Sequence, residues 1–350
     1  MKRKSTTDLE AIRNGARLLR EGGLVVFPTE TVYGLGADAR NDAACRKVFA
    51  AKGRPADNPL IVHIASVETL PEIAAGEPPV AARRALEAFS PGPITVVVRH
   101  NGTLAPTATT GLPTVALRIP EHPVALALLR AAAIPIAAPS ANRSGRPSPT
   151  SYAMAMDAME GRVDAIIDGG DCSVGVESTI LDCTVTPQRI LRPGGVTFEM
   201  LREAGIDVEP PEHHAEGAAG MGPRGSENGG GAAHFRAPGS RYRHYTPSAP
   251  VYTVEPDEGS LPELLHKLRD KVGVIGTAEE LDRLFPGSLP AGTVVRRFDD
   301  LQEYARGIYR SFYDFDREGC TAIVALLPAA GGVGTALRDR LGRAGTPFRR

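Results

Sequence analysis

Apolar positions in the first part of the chain follow both helical and strand periods. Leu9, Ile12, Ala16 and Leu19 recur at three- and four-residue intervals, the stripe of an amphipathic helix. Thr7 and Glu10 form a capping box at its start, and Gly22-Gly23 stops it. Residues 24–27 are an unbroken apolar run ended by Pro28, which predicts a strand buried on both faces. Further strands are predicted over 60–64, 94–99, 114–119, 134–138, 165–168, 179–182 and 189–191. Helices are predicted over 42–51, 80–89, 124–132, 152–159 and 198–204. Several of these strands succeed one another with no helix between them, so a mixed sheet is expected rather than a doubly wound one. The last block alternates regularly, with strands over 251–254, 272–275, 294–298 and 322–327 and helices over 261–268, 279–285, 301–315 and 335–343. That is the βαβα pattern of a small parallel sheet. The fold class is therefore α/β, with an α+β-like mixed twisted sheet first and a parallel sheet second.

One shift in composition separates the two blocks. From Pro210 to Ser240, 18 of 31 residues are Gly, Ala or Pro and large aliphatics are absent. Such a stretch buries too little apolar surface to offset its ordering entropy, so a flexible linker is expected. The organisation predicted is a first domain over 1–205, a linker over 206–247 and a second domain over 248–350, consistent with two domains in 350 residues. Lys and Arg number 40 against 41 Asp and Glu, a net charge of -1, which argues against attachment to nucleic acid by bulk charge. The basic start Met1-Lys-Arg-Lys is not followed by an apolar run, and no stretch of membrane-spanning length occurs. The four cysteines, Cys45, Cys172, Cys183 and Cys320, form no C-x-x-C pair and read as reduced, buried thiols. A cytoplasmic location with no membrane partner is expected.

Common nucleotide and hydrolase signatures are missing. No Walker A loop is present, and Gly332-Val-Gly334-Thr-Ala-Leu337 lacks the third glycine of a dinucleotide fingerprint. His213-His214 has no partner at metal-ligand spacing, and no protein-held metal is expected. Neither a Ser-His-Asp order nor a catalytic carboxylate pair stands out. What recurs instead is a polar loop at a strand end. Pro28-Thr-Glu-Thr-Val-Tyr-Gly-Leu-Gly36 leaves the first strand, where hydroxyls and glycines let a ligand approach, or simply make a turn. Lys52-Gly-Arg54-Pro-Ala-Asp-Asn58 joins a helix to a strand; its cations suit phosphate oxygens, or a solvated helix end. Arg118 ends a strand, where burial demands an anionic partner supplied either by ligand or by protein. Pro139-Ser140-Ala-Asn142 through Ser148, then Val176-Glu-Ser178 and Arg189-Ile-Leu-Arg192, repeat the theme. Cationic forks with hydroxyls suit a triphosphate and a small anionic substrate, with catalysis by positioning and charge stabilisation.

Taken together, these loops resemble the YrdC-like domain of the threonylcarbamoyl-AMP synthase family over about residues 8–205. The segment from Ala237 to Pro247 resembles the linker of that family's long form, and the last block resembles its small Rossmann-like domain. The resemblance implies a nucleotidyltransferase that converts L-threonine, bicarbonate and ATP, with Mg²⁺, into threonylcarbamoyl-AMP and pyrophosphate. It also implies a downstream transferase that modifies the anticodon-adjacent adenosine of tRNA. Carried onto matching positions, it assigns Thr31, His63, Arg118, Ala138 and Ser178 to L-threonine. It assigns Arg54, Asn58, Thr114, Ser140, Ser148, Arg192 and Tyr242 to ATP, and Lys52, Arg54, Ser140 and Asn142 to the phosphates and carbamate. The rival reading is a double-stranded-RNA-binding module, with Lys52, Arg54, Arg118, Arg143, Arg146 and Arg192 lining one cleft for duplex RNA or tRNA. A carbamoyl-handling maturation factor is disfavoured by the lack of zinc-finger-like cysteine pairs.

Overall fold

The computed structural model describes residues 9–210, 245–257, 260–268, 270–285 and 290–348. Thr7, Tyr242 and most of the expected linker lie outside the described residues. The first unit carries β1 (Val25–Phe27), β2 (Gly34–Asp38), β3 (Ile61–His63), β4 (Ile94–Arg99), β5 (Thr114–Arg118), β6 (Ile136–Ala137), β7 (Ala165–Ile166), β8 (Thr179–Asp182) and β9 (Arg189–Arg192). They form one sheet in the order β7-β1-β2-β6-β3-β5-β4-β8-β9. The pairs β1/β7, β3/β5 and β4/β8 are parallel and the remaining ones antiparallel, the mixed sheet expected. Backbone pairing with this unit continues past residue 205, since Glu209 N–H donates to the Gln188 carbonyl at 2.9 Å. The second unit carries β10 (Val251–Val254), β11 (Val272–Thr277), β12 (Thr293–Phe298), β13 (Ala322–Leu326) and β14 (Thr346–Pro347), all parallel in the order β12-β11-β13-β10-β14.

The sequence pattern misses the two-residue edge strand β14 and, in the first unit, β2. The residues of β2, GLGAD, have little strand propensity. It forms because β1 and β6 both pair with it, and because glycine permits the approach. A Cβ on Gly36 would lie 2.8 Å from Phe27 and 2.9 Å from Ile136.

Strand alternation divides the sheet into two faces. Val62, Val96, Val98, Val115, Leu117 and Leu181 enter the main core, packed beneath Ala44, Val48, Phe49, Ala85 and Leu86 of the helices Asp42–Lys52 and Val80–Phe89. Burying each large aliphatic there is worth roughly 1.5–3 kcal/mol. On the opposite face, the helices Leu9–Arg20 and Pro123–Ala132 cover Val25, Phe27, Ile136 and Ala138. Past β6 that same face turns to Ile61, Val97, Ala116 and Ile180, a small apolar floor. There the candidate site lies.

Candidate active site

In β3 and β5, Ile61 is in register with Ala116 and His63 with Arg118. Period-two alternation therefore puts Pro59, Ile61 and His63 on the same face as Thr114, Ala116 and Arg118. The small Ala116 leaves room above the floor, and His63 and Arg118 stand at its carboxyl end.

Local signals bring the other cations in. Asn41 caps the helix Asp42–Lys52 through its side chain, at 3.1 Å from Ala44 N–H, and Gly53 closes it in the left-handed region at φ +61°. This stop turns Lys52 inward, where it is 3% exposed, contrary to a solvated helix end. Lys52 Nζ donates to the carbonyls of Ser140 and of Asn142, the latter at 2.6 Å, and to Asn142 Oδ1 at 3.3 Å. Burial, with Arg54 beside it, pushes its pKa well below the usual lysine range. All three surrounding oxygens are acceptors, so the geometry holds the ammonium form. Arg54 Nε donates to the Asn58 carbonyl and Nη2 to that of Pro59, both at 3.1 Å, and burial lowers its pKa to about 10.

The loop after β6 is tied down by backbone bonds. Leu35 N–H donates to the Pro139 carbonyl at 2.8 Å and Ala141 N–H to that of Tyr33 at 2.7 Å. Within it Ser140 Oγ donates to Asn142 Oδ1 at 2.5 Å, while Asn142 Nδ2 donates to the Arg143 and Arg146 carbonyls.

Arg118 answers both readings of a buried arginine. Its Nη2 lies 2.7 Å from Glu30 Oε1 and donates to Thr31 Oγ1 at 2.9 Å. Its Nε is buried without an acceptor among the described residues. His63 Nδ1 is likewise unpartnered. Burial, reinforced by Arg118, lowers the His63 pKa to about 3, so the ring is neutral at physiological pH. Unsatisfied buried polar groups are costly, so two of them converging on a pocket mark a place for polar ligand atoms.

The pocket brings together Lys52, Arg54, His63, Arg118, Ala138, Ser140, Asn142 and Arg192 from the predicted set. Thr31, Ser148 and Ser178 stand behind the wall. Ser178 Oγ bonds Thr95 Oγ1 at 2.7 Å and accepts from Arg192 Nη2 at 3.2 Å, and Ser148 Oγ donates to Glu177 Oε1 at 2.7 Å. Asn58 and Thr114 do not line the pocket. Asn58 precedes β3 and Thr114 opens β5, with Asn58 Nδ2 and Thr114 Oγ1 buried and unpartnered among the described residues.

Sequence reasoning missed Glu30, Glu177 and Tyr245. Glu30 and Glu177 sit inside the quoted loops, each beside an assigned hydroxyl residue. Tyr245 lies in the linker segment 237–247, in which the resemblance assigns the ATP contact to Tyr242, a residue outside the described ones. Tyr245 lines the pocket, held at φ +67°, a conformation a tyrosine adopts only when its surroundings impose it.

The second unit closes one side. Thr246 N–H donates to the Gly145 carbonyl at 2.8 Å, Arg146 donates to Ser248 Oγ at 2.6 Å, and Tyr313 bonds Asp157. An apolar floor under the four cations Lys52, Arg54, Arg118 and Arg192 makes a pocket suited to an anionic ligand, the kind of site found in an α/β enzyme.

Residues 17–194 match a family model described as "Telomere recombination", and residues 196–346 match one described as "Threonylcarbamoyl-AMP synthase, C-terminal domain". The threonylcarbamoyl-AMP synthase of Pyrococcus abyssi is 41% identical over 95% of this chain and 93% of its own length. That of Bacillus subtilis is 40% identical over 97% of this chain and 94% of its own. A crystal structure of P. abyssi Sua5 complexed with L-threonine superposes with a TM-score of 0.83 at 38% identity, covering 99% of this chain and 98% of the other. The chain belongs to the threonylcarbamoyl-AMP synthase family.

Proposed function

We propose that the pocket binds L-threonine at its His63–Arg118 end and ATP along the floor, and joins them through bicarbonate. The carrying observation is the convergence of Lys52, Arg54, Arg118 and Arg192 on one pocket of a chain from this family. The neutral threonine amine attacks bicarbonate, and water leaves as the carbamate forms. A carbamate oxygen then attacks the α-phosphorus, and pyrophosphate departs. Both reactants are anionic, so the barrier is electrostatic and the buried cations lower it. Arg118 pairs with the threonine carboxylate as a fork, and neutral His63 offers Nδ1 as an acceptor to its hydroxyl or amine. Lys52, held against the Ser140–Asn142 loop, Arg54 and Arg192 meet the phosphates, and Tyr245 covers the nucleotide.

The described residues hold no cluster of three His, Cys, Asp or Glu able to take a metal. Magnesium would enter with ATP as substrate, where it would supply charge neutralisation at the phosphates. The product goes on to a transferase acting on tRNA. Cys45, Cys172, Cys183 and Cys320 stand as buried free thiols, and among the described residues no helix is long and apolar enough to cross a membrane. The RNA-binding reading is not favoured, because Lys52, Arg118 and Arg192 are at most 5% exposed and a duplex cannot reach them.

The test is pyrophosphate release by the full chain with ATP, Mg²⁺ and bicarbonate. Release should require L-threonine and fall when bicarbonate is removed. Release indifferent to threonine would sink the proposal.

A further inference from the structure

The pocket that gathers four cations also carries a carboxylate, Glu177. A buried negative charge facing a site for phosphates works against their binding, since repulsion is strong where water is excluded. Here the second unit covers Glu177 and must answer its charge.

It does so with Arg340, on the helix Gly332–Ala344, a guanidinium with no solvent exposure. Arg340 Nε donates to Glu177 Oε2 at 2.8 Å, where Tyr309 O–H also donates at 2.9 Å. The other oxygen, Oε1, accepts from Ser148. Arg340 Nη1 pairs with Asp339 at 2.6 Å, and the guanidinium lies 5.8 Å from the Tyr245 ring centroid. The Tyr245 and Tyr309 rings are 5.2 Å apart. Burial alone would raise the Glu177 pKa, but Arg340 and then Arg192 hold it below the ordinary carboxylate range, so the group stays ionised.

We propose that Arg340 is a positioning residue for the nucleotide half of the site: it cancels the charge of Glu177 and, through that carboxylate, fixes Ser148 and the Tyr245–Tyr309 pair. It touches no substrate itself and acts through Glu177 and the adjoining Tyr245 ring. The second unit thereby supplies part of the site's charge balance rather than serving as a spacer. This rests on the reading that the pocket takes ATP.

The experiment uses the full chain with Arg340→Gln, Glu177→Gln and the double variant, measuring ATP affinity by calorimetry and the steady-state constants for both substrates. Arg340→Gln should raise the Kd and KM for ATP about tenfold or more, equivalent to ~1.4 kcal/mol. The threonine KM should move less than about twofold, a split that loosened folding would not produce. The double variant should bring ATP affinity back to within about threefold of the starting protein, because a neutral pair no longer repels phosphate. An unchanged ATP KM in Arg340→Gln, or a double variant no better than that single one, overturns the proposal. Should Arg340→Gln not fold, Glu177→Gln decides, since Arg340 there keeps Asp339 as partner. It should bind ATP at least as tightly as the starting protein, and about tenfold weakening would overturn the charge-cancelling role. Failure of the unsubstituted chain to bind ATP would instead overturn the reading of the pocket, and this proposal with it.

Discussion

Replacing Arg118 with Gln removes two interactions at once, and they can be separated. The first is the ion pair at 2.7 Å with Glu30, a carboxylate only 2% exposed. Glu30 keeps the Glu121 N–H donor at 3.0 Å but loses its cation. Breaking a buried pair from one side costs about 3–5 kcal/mol. At roughly 2–4 °C per kcal/mol for a domain of this size, the melting temperature should fall by about 6–20 °C. The second is the fork offered to the threonine carboxylate. Losing one side of a buried, hydrogen-bonded charge pair is worth ~2–5 kcal/mol, or roughly 30-fold to several thousand-fold in threonine affinity. The Glu30→Gln/Arg118→Gln double variant then discriminates. Its stability should return to near that of the starting protein, because a buried ion pair replaced on both sides is often neutral. Its threonine KM should stay high. Calorimetric melting and a threonine titration of pyrophosphate release measure both. If the double variant recovers threonine affinity as well as stability, Arg118 serves only as the internal partner of Glu30, and the carboxylate assignment is wrong.

Two further outcomes follow from the same geometry. His63 protonates near 6.5 when unfolded but near 3 when folded, so between those pH values the unfolded state holds more protons. Stability should therefore decline as pH drops from about 6.5 toward 3, by about 1.4 kcal/mol per pH unit for this one group. His63→Gln should flatten that slope by one proton in pH-dependent unfolding, and an unaltered slope would mean the folded ring is already charged. Gly175 sits at φ +81°, and a Cβ there would come 2.3 Å from the Cα of Arg306 in the helix Leu301–Arg317. Gly175→Ala should lower the melting temperature and loosen the contact between the units, seen as faster amide exchange in that helix. Unaltered exchange would show that the close approach is not needed.

Much of the site was legible before any fold was known. The cations and hydroxyls sit at strand and helix ends because those places combine backbone freedom with nearby burial, and Lys52, Arg54, His63, Arg118, Ser140, Asn142 and Arg192 are all found in one pocket. The strand period alone puts Thr114, Ala116 and Arg118 on a common face. What periodicity could not say is which face receives a covering helix. That depended on where the helices Leu9–Arg20 and Pro123–Ala132 packed, and they stop short of β3 and β5. β2 escaped notice for a related reason: a glycine-rich strand exists only through its two neighbours. Arg118 could be read as a ligand fork or an ion pair, and only the folded chain shows Glu30 and an unpartnered Nε together. The contact between Glu177 and Arg340 spans 163 residues, a separation at which no local pattern carries information. Local residue order determined the elements and the chemical groups at their ends, because propensity, capping and alternation are short-range. Tertiary packing decided which of those groups are buried together and which charges must be answered from the second unit, because burial and Coulomb energy depend on distance in space.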